Sequence, residues 1–247
     1  ILKIKKENSP QLLISFRDIK EISDKNFKYF DICDLKDPEK GSIGAWEEKN
    51  ILEVIKRSKK RVKVSATIGD IFSVEGIIKK LQQFDNLGLD YIKFGINTKN
   101  VLELKDLINR IGKFTFRTNL VLVVFVDKNS TLKIVEENLE IFYQNNIRFL
   151  ILDTYKKNNQ NLTSIYNPFK IKDFMNKCSV KKINVGLAGR LQPNHITKLK
   201  LLNPYVIGFR SAICSDQNRK FLSEKKLIFL SSQFFSNKSN AIESAGA

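Results

Sequence analysis

Leu120-Val121-Leu122-Val123-Val124-Phe125-Val126 is the longest uninterrupted apolar run in the chain. It is far short of the roughly 18–20 apolar residues that cross a bilayer. A continuous run, rather than an alternating one, marks a strand covered on both faces, as in a parallel sheet wrapped by helices. Similar runs recur at Leu12–Ser15, Phe30–Leu35, Val62–Ile68, Tyr91–Phe94, Phe149–Asp153, Ile183–Leu187 and Val206–Phe209. Amphipathic stretches lie between them at Ile51–Arg57, Val74–Phe84, Val101–Ile111, Thr131–Tyr143 and Ile196–Leu202. Strands alternating with helices through the whole length predict an α/β protein, most economically a single (β/α)8 TIM barrel. An open doubly wound sheet usually carries a glycine-rich turn after its first strand. Here that strand runs into Ser15-Phe16-Arg17-Asp18, without glycine.

The 247 residues, 42% of them hydrophobic, suffice for one barrel core. With no internal repeat and no linker, residues 1–230 read as one catalytic domain, and the Ser/Asn/Ala-rich 231–247 as a flexible tail. The residues before Leu12 alternate Lys with Ile rather than forming an apolar leader. Cys33, Cys178 and Cys214 have no metal-type spacing. Reduced thiols in a cytoplasmic, membrane-free protein are the expectation. The net charge of +17 admits nucleic-acid binding, but the cations are scattered over helix faces, as at Lys56, Lys79, Lys105 and Lys198. With no clustered basic arm or RNA-binding signature, a solvated surface is the better reading and no nucleic-acid partner is expected. Either way, a positive field concentrates anionic substrates. A homo-oligomer is compatible with the sequence.

Chemistry gathers just past the strands. Lys36 follows the second, Lys93 is read at the end of the fourth, and Lys156-Lys157 follow the sixth. A lysine desolvated at a strand end can shed its proton and attack a carbonyl to form a Schiff base. A single such lysine is more often solvated, and Asp34 and Asp153 could equally cap helices. Yet Lys36, Lys93, Asp153 and Arg210 all belong to even-numbered strands, whose side chains share layers inside a barrel. Asp34 and Lys36, two apart, point to one side of an extended strand, so Asp34 is expected to orient the Lys36 amine. Gly186-Leu187-Ala188-Gly189-Arg190 ends the seventh strand and Ile207-Gly208-Phe209-Arg210-Ser211 the eighth. Loops after these strands commonly bind phosphate in barrels. Gly189, Arg190, Gly208, Arg210 and Ser211 are therefore the candidate phosphate ligands, with Arg210 gripping the anion. His195, the single histidine, starts a helix and suggests no metal ligand.

Several blocks, in order along the chain, carry a resemblance. They are Asp34-Leu35-Lys36-Asp37-Pro38 with Gly41-Ser42-Ile43-Gly44-Ala45, Val64-Ser65-Ala66-Thr67-Ile68-Gly69-Asp70, and Asp90-Tyr91-Ile92-Lys93-Phe94-Gly95. Leu152-Asp153-Thr154, Leu187-Ala188-Gly189 and Ile207-Gly208-Phe209-Arg210-Ser211-Ala212-Ile213-Cys214 follow. Together they resemble the (5-formylfuran-3-yl)methyl phosphate synthase family. The resemblance implies condensation of two glyceraldehyde 3-phosphates into a furan aldehyde phosphate for methanofuran-type cofactors, without metal or cofactor. It implies Lys36 as the Schiff-base lysine, Lys93 as a second catalytic lysine, Asp153 as acid/base, and Lys157 as a further lysine. This chain departs by reading Lys157-Asn158-Asn159 where the family has Lys-Asp-Gly, and by a shorter segment after Ala45. Another Schiff-base phosphosugar aldolase or isomerase, or a non-catalytic RNA-binding protein, are the alternatives.

Overall fold

The computed structural model describes residues 9–71, 73–96, 98–156, 160–216 and 219–236. Eight parallel strands close into a barrel in sequence order: β1 Gln11–Phe16, β2 Ile32–Leu35, β3 Lys63–Thr67, β4 Tyr91–Gly95, β5 Asn119–Phe125, β6 Phe149–Asp153, β7 Asn184–Leu187 and β8 Val206–Phe209. β1 pairs with both β2 and β8, so neither sheet edge is left open. The helices are α1 Glu48–Ser58, α2 Val74–Asp85, α3 Val101–Ile111, α4 Asn129–Glu137, α5 Leu139–Gln144, α6 Leu162–Ile165, α7 Pro168–Val180, α8 Ile196–Leu201 and α9 Glu224–Phe235. No helix among the described residues is long and apolar enough to cross a membrane.

The continuous apolar runs form two cores. On β5, Leu120, Leu122 and Val124 face the helices, while Val121, Val123 and Phe125 fill the barrel. The period of two is hidden in the sequence because both faces are apolar. On β2 and β4 it becomes visible: Cys33, Leu35, Ile92 and Phe94 pack outward, whereas Asp34 and Lys93 are buried without joining either apolar core.

The N-terminal end of the barrel is plugged. Tyr91 and Tyr205 share a hydroxyl–hydroxyl hydrogen bond of 2.7 Å, and Lys63 Nζ donates to the Tyr91 hydroxyl at 3.0 Å. Phe149 stacks edge-on to Tyr91 and tilts against Tyr205, with ring centroids 5.6 and 5.1 Å apart. The opposite, C-terminal mouth carries a cleft lined by Lys36 and Asp153.

Four boundaries differ from expectation. Lys93 is the middle residue of β4, not its end, because Gly95 still pairs with Val123 and prolongs the strand. The predicted helix 131–143 is two helices, broken at Asn138, whose N–H turns back to Val135 O. α7 had no counterpart in the sequence reading: Phe169 and Val180 are 87% and 77% exposed, which blurs its apolar stripe. The domain does not stop at residue 230. α9 continues to Phe235 and buries Leu227, Leu230 and Phe234 against the barrel's outer core. Residues 237–247 of the expected tail lie outside the described residues.

Gly186 shows how tightly the interior is filled, since a β-carbon there would lie 2.5 Å from Val206 Cγ1 and 3.3 Å from Ile151 Cγ1. Val206 is β-branched on a strand and has little freedom to swing aside. Gly186→Ala is expected to destabilise the barrel by roughly 1–3 kcal/mol, measured as a lowered midpoint in thermal denaturation.

Candidate active site

At the C-terminal mouth, lysine–carboxylate pairs sit one above the other. Asp34, fully buried, is two residues below Lys36 on β2, and its Oδ1 lies 2.5 Å from Lys93 Nζ on β4. Two hydroxyls complete its shell: Ser15 Oγ on β1 donates at 2.8 Å and Ser65 Oγ on β3 at 2.9 Å. Above this layer Lys36 Nζ reaches across the barrel to Asp153 Oδ2 at 3.1 Å. The even-strand convergence expected for Lys36, Lys93 and Asp153 is therefore present. The pairing within it differs: Asp34 holds Lys93 rather than orienting Lys36, because its place inside β2 aims it at the layer below. Lys36 lies past the end of β2 and can bend over the mouth.

Burial sets the chemistry of the lower pair. It is the largest influence on Lys93 and pushes its ammonium below the ordinary lysine value, helped by repulsion from Lys36 and opposed by Asp34. Lys93 is 5% exposed, so of the two it is the deeply desolvated amine. The Lys36 and Asp153 side chains remain 20% and 14% accessible, at the floor of the open cleft.

That cleft is lined on one side by Gly189, Arg190, Gly208, Arg210 and Ser211, together with Lys36 and Asp153. All five candidate phosphate ligands are thus brought to one place. Gly189 has φ +101°, and a β-carbon there would come within 2.9 Å of Thr154 Cγ2, so glycine is needed for the β7 loop to close on the β6 loop. Arg210 is placed differently from expectation. Its Nη1 and Nη2 donate to the two Glu21 carboxylate oxygens at 2.6 and 2.8 Å, and Nη2 also donates to Arg219 O at 2.6 Å. Both terminal nitrogens are committed to the loop after β1 and the segment after β8, so the guanidinium ties these two parts of the rim together. Lys157 lies outside the described residues. Its neighbour Lys156 lines the opposite side of the cleft, beside Ser42 and Tyr155.

Three contributors escaped the sequence reading. Asp70, after β3, accepts from Ser42 N at 2.7 Å and Ile43 N at 3.3 Å and so shapes the β2 loop. Asp127, after β5, accepts from Tyr155 N at 2.8 Å and Lys156 N at 2.7 Å, fixing the β6 loop. Both are loop carboxylates whose partners lie about 28 residues away, so local sequence gave no sign of these contacts, although Asp70 closes one of the matching blocks. Arg219 lines the cleft on both sides. Only its place five residues after Cys214 of the last matching block could have drawn attention to it.

The chain has both sequence relatives and structural neighbours. The chain is 28% identical over 218 residues to the (5-formylfuran-3-yl)methyl phosphate synthase of Methanocaldococcus jannaschii, covering 84% of this chain and 92% of the relative. It is 26% identical over 200 residues to the enzyme of that name from Methanopyrus kandleri, covering 76% and 83%. A putative (5-formylfuran-3-yl)methyl phosphate synthase of Methylorubrum extorquens is 25% identical over 211 residues, covering 85% of each chain. Among solved structures, a 3-hexulose-6-phosphate synthase superimposes with a TM-score of 0.58 at 13% identity, covering 92% of this chain and 98% of that one. A phosphoribosyl anthranilate isomerase from Thermococcus kodakaraensis gives 0.59 at 14%, covering 94% and 100%. Likeness at that identity speaks for the barrel alone. The family described as 4-HFC-P synthase matches residues 12–228, a span that runs from β1 into α9 and includes every residue of the two lysine–carboxylate pairs, and the chain belongs to that family.

Proposed function

We propose that this protein condenses two molecules of glyceraldehyde 3-phosphate into (5-formylfuran-3-yl)methyl phosphate, through a Schiff base on Lys36, as a step toward a methanofuran-type cofactor. The observation that carries the reading is the Lys36–Asp153 contact of 3.1 Å at the floor of a cleft whose wall is the glycine-bearing β7 and β8 loops. The names of its relatives supply the product, and the atoms balance. Two trioses provide six carbons, and loss of one phosphate and two waters leaves the furan aldehyde with one phosphate.

Each group has work that its position permits. Asp153 is within hydrogen-bond reach of the Lys36 amine and can take the proton that this amine must shed before it attacks a carbonyl. The resulting iminium withdraws electrons and acidifies the neighbouring carbon. Asp153 is again placed to move that proton during aldol addition and elimination. Lys93, whose ammonium gives up its proton more readily than an ordinary lysine, serves as a second relay below. Asp34 keeps Lys93 in place and limits how far burial can lower it. Gly189, Arg190, Gly208 and Ser211 hold the retained phosphate by backbone approach and charge.

The reading is tested by incubation with glyceraldehyde 3-phosphate, following furan absorbance and released inorganic phosphate together. Borohydride added during turnover is expected to trap a triose adduct on Lys36, located by peptide mass spectrometry. Lys36→Arg should abolish the adduct, since arginine keeps the charge but does not yield a neutral amine. An adduct on Lys93 instead would move the nucleophile to the lower pair.

Asp153→Asn should fold normally and lower product formation by about 10² or more, the usual scale for loss of a positioned acid/base. Rates measured at saturating substrate check this, and turnover near that of the unaltered protein would reassign the proton transfers.

Arg210 is expected to separate stability from binding. Its ion pair with Glu21 leaves each side chain only 10% accessible, and removing one partner of such a pair costs about 3 kcal/mol or more. Arg210→Ala should therefore melt at a clearly lower temperature, while the folded variant keeps its affinity for inorganic phosphate. A large loss of phosphate affinity without loss of stability would return Arg210 to the anion site.

A further inference from the structure

The cleft has two lobes. One lies under the β7 and β8 loops, against Gly189, Gly208 and Ser211. The other lies between the β2 and β6 loops, against Gly41, Ser42, Thr154 and Lys156. Lys36, Asp153, Arg190 and Arg219 line both, and so form the wall between them. Among the described residues, neither the Arg190 nor the Arg219 guanidinium donates a hydrogen bond or closes an ion pair. Burial and the nearby charge of Arg190 hold Arg219 below the ordinary arginine value, so the two cations repel across the wall. The carboxylate among them, Asp153, is already bonded to Lys36. Asp153 also attracts Arg219, yet this one carboxylate faces the three cations Lys36, Arg190 and Arg219, and an anion would supply the charge they lack.

We infer that the cleft holds two phosphate groups at once, one in each lobe, with Arg190 and Arg219 as the clamp shared between them. This rests on the proposed condensation, in which both substrates carry a phosphate and one is lost. The lobes differ in the donors they offer. Glycines in the first admit close backbone approach, which suits the phosphate that stays. In the second, the Ser42 and Ile43 amides are spent on Asp70 and the Tyr155 and Lys156 amides on Asp127. That lobe must hold its anion mainly through the side-chain cations Lys156, Arg190 and Arg219, which suits the phosphate that leaves. Departure breaks the C–O bond, and its electron pair goes with the phosphate. The neighbouring carbon gives its proton to Asp153, and that C–H pair becomes the new double bond, so no oxidant or reductant is consumed. Cations facing the departing dianion stabilise the charge it gathers. Lys36, on the shared wall, then holds the first triose where its enamine faces the second.

Calorimetric titration with inorganic phosphate, paired with steady-state kinetics on glyceraldehyde 3-phosphate, tests the assignment. Arg190 and Arg219 have φ of 51° and 61°, so Arg190→Asn and Arg219→Asn suit the left-handed backbone. Exposed Lys156→Gln is a variant with little risk to folding. Two phosphates per chain are expected for the unaltered protein. Lys156→Gln should weaken one of the two sites about tenfold and leave the other unchanged. Arg219→Asn should weaken both by about 10- to 100-fold, the scale of a lost charged hydrogen bond, and raise KM. A single phosphate per chain would overturn the two-lobe assignment, as would unchanged affinity and KM in folded Arg219→Asn and Lys156→Gln. Two phosphates with these losses, but no furan from the unaltered protein, would keep the sites and remove the condensation. Furan formation with only one phosphate site would do the reverse.

Discussion

A fully buried carboxylate is the constraint on which the barrel mouth depends. Asp34 could not remain charged in the interior without compensation. Its partners are Lys93 from β4 and the hydroxyls of Ser15 and Ser65 from β1 and β3. The charge on β2 is thus answered by both flanking strands and by the next one beyond. Each partner must stand in the correct register, since a slip by one residue would turn the side chain to the helix layer. Burying two charges also consumes much of what their attraction returns, so the Asp34–Lys93 pair is weak ground for stability by itself. It also leaves Lys36 clear: with Asp34 and Lys93 satisfied below, Lys36 meets Asp153 beside the cleft.

The loops above are built on the same device at longer range. A carboxylate after one strand binds the backbone amides of a neighbouring loop, as Asp70 does for the β2 loop and Asp127 for the β6 loop. Glu21 joins the loop after β1 to the segment after β8 through Arg210. These tethers hold irregular segments at the mouth in defined shapes, where backbone amides would otherwise need water. They also decide which backbone donors are already spent on each side of the cleft.

The barrel and the lysines were legible in the sequence for separate reasons. Parallel strands covered on both faces become unbroken apolar runs, and eight of these with amphipathic segments between them left little room for another architecture. Lys36 and Asp153 stood out because charges at the ends of such runs must meet at the mouth. α7 was not legible, because its exposed Phe169 and Val180 blur the stripe that would have revealed it. α9 was obscured by the polar composition that follows it, although Leu227, Leu230 and Phe234 lie on one face.

Sequence by itself determined the order of strands, the family, and which side chains are carried to the mouth, since all of these follow from local hydrophobicity and from motifs within single segments. Tertiary structure alone decided the partners: Asp34 to Lys93, Lys36 to Asp153, Arg210 to Glu21, and Arg190 beside Arg219. Pairing depends on distance, and distance across a barrel is set by strand tilt, stagger and the reach of each side chain. Residues 117 positions apart in the chain come within 3.1 Å at the site, and nothing in the neighbourhood of either one records the other.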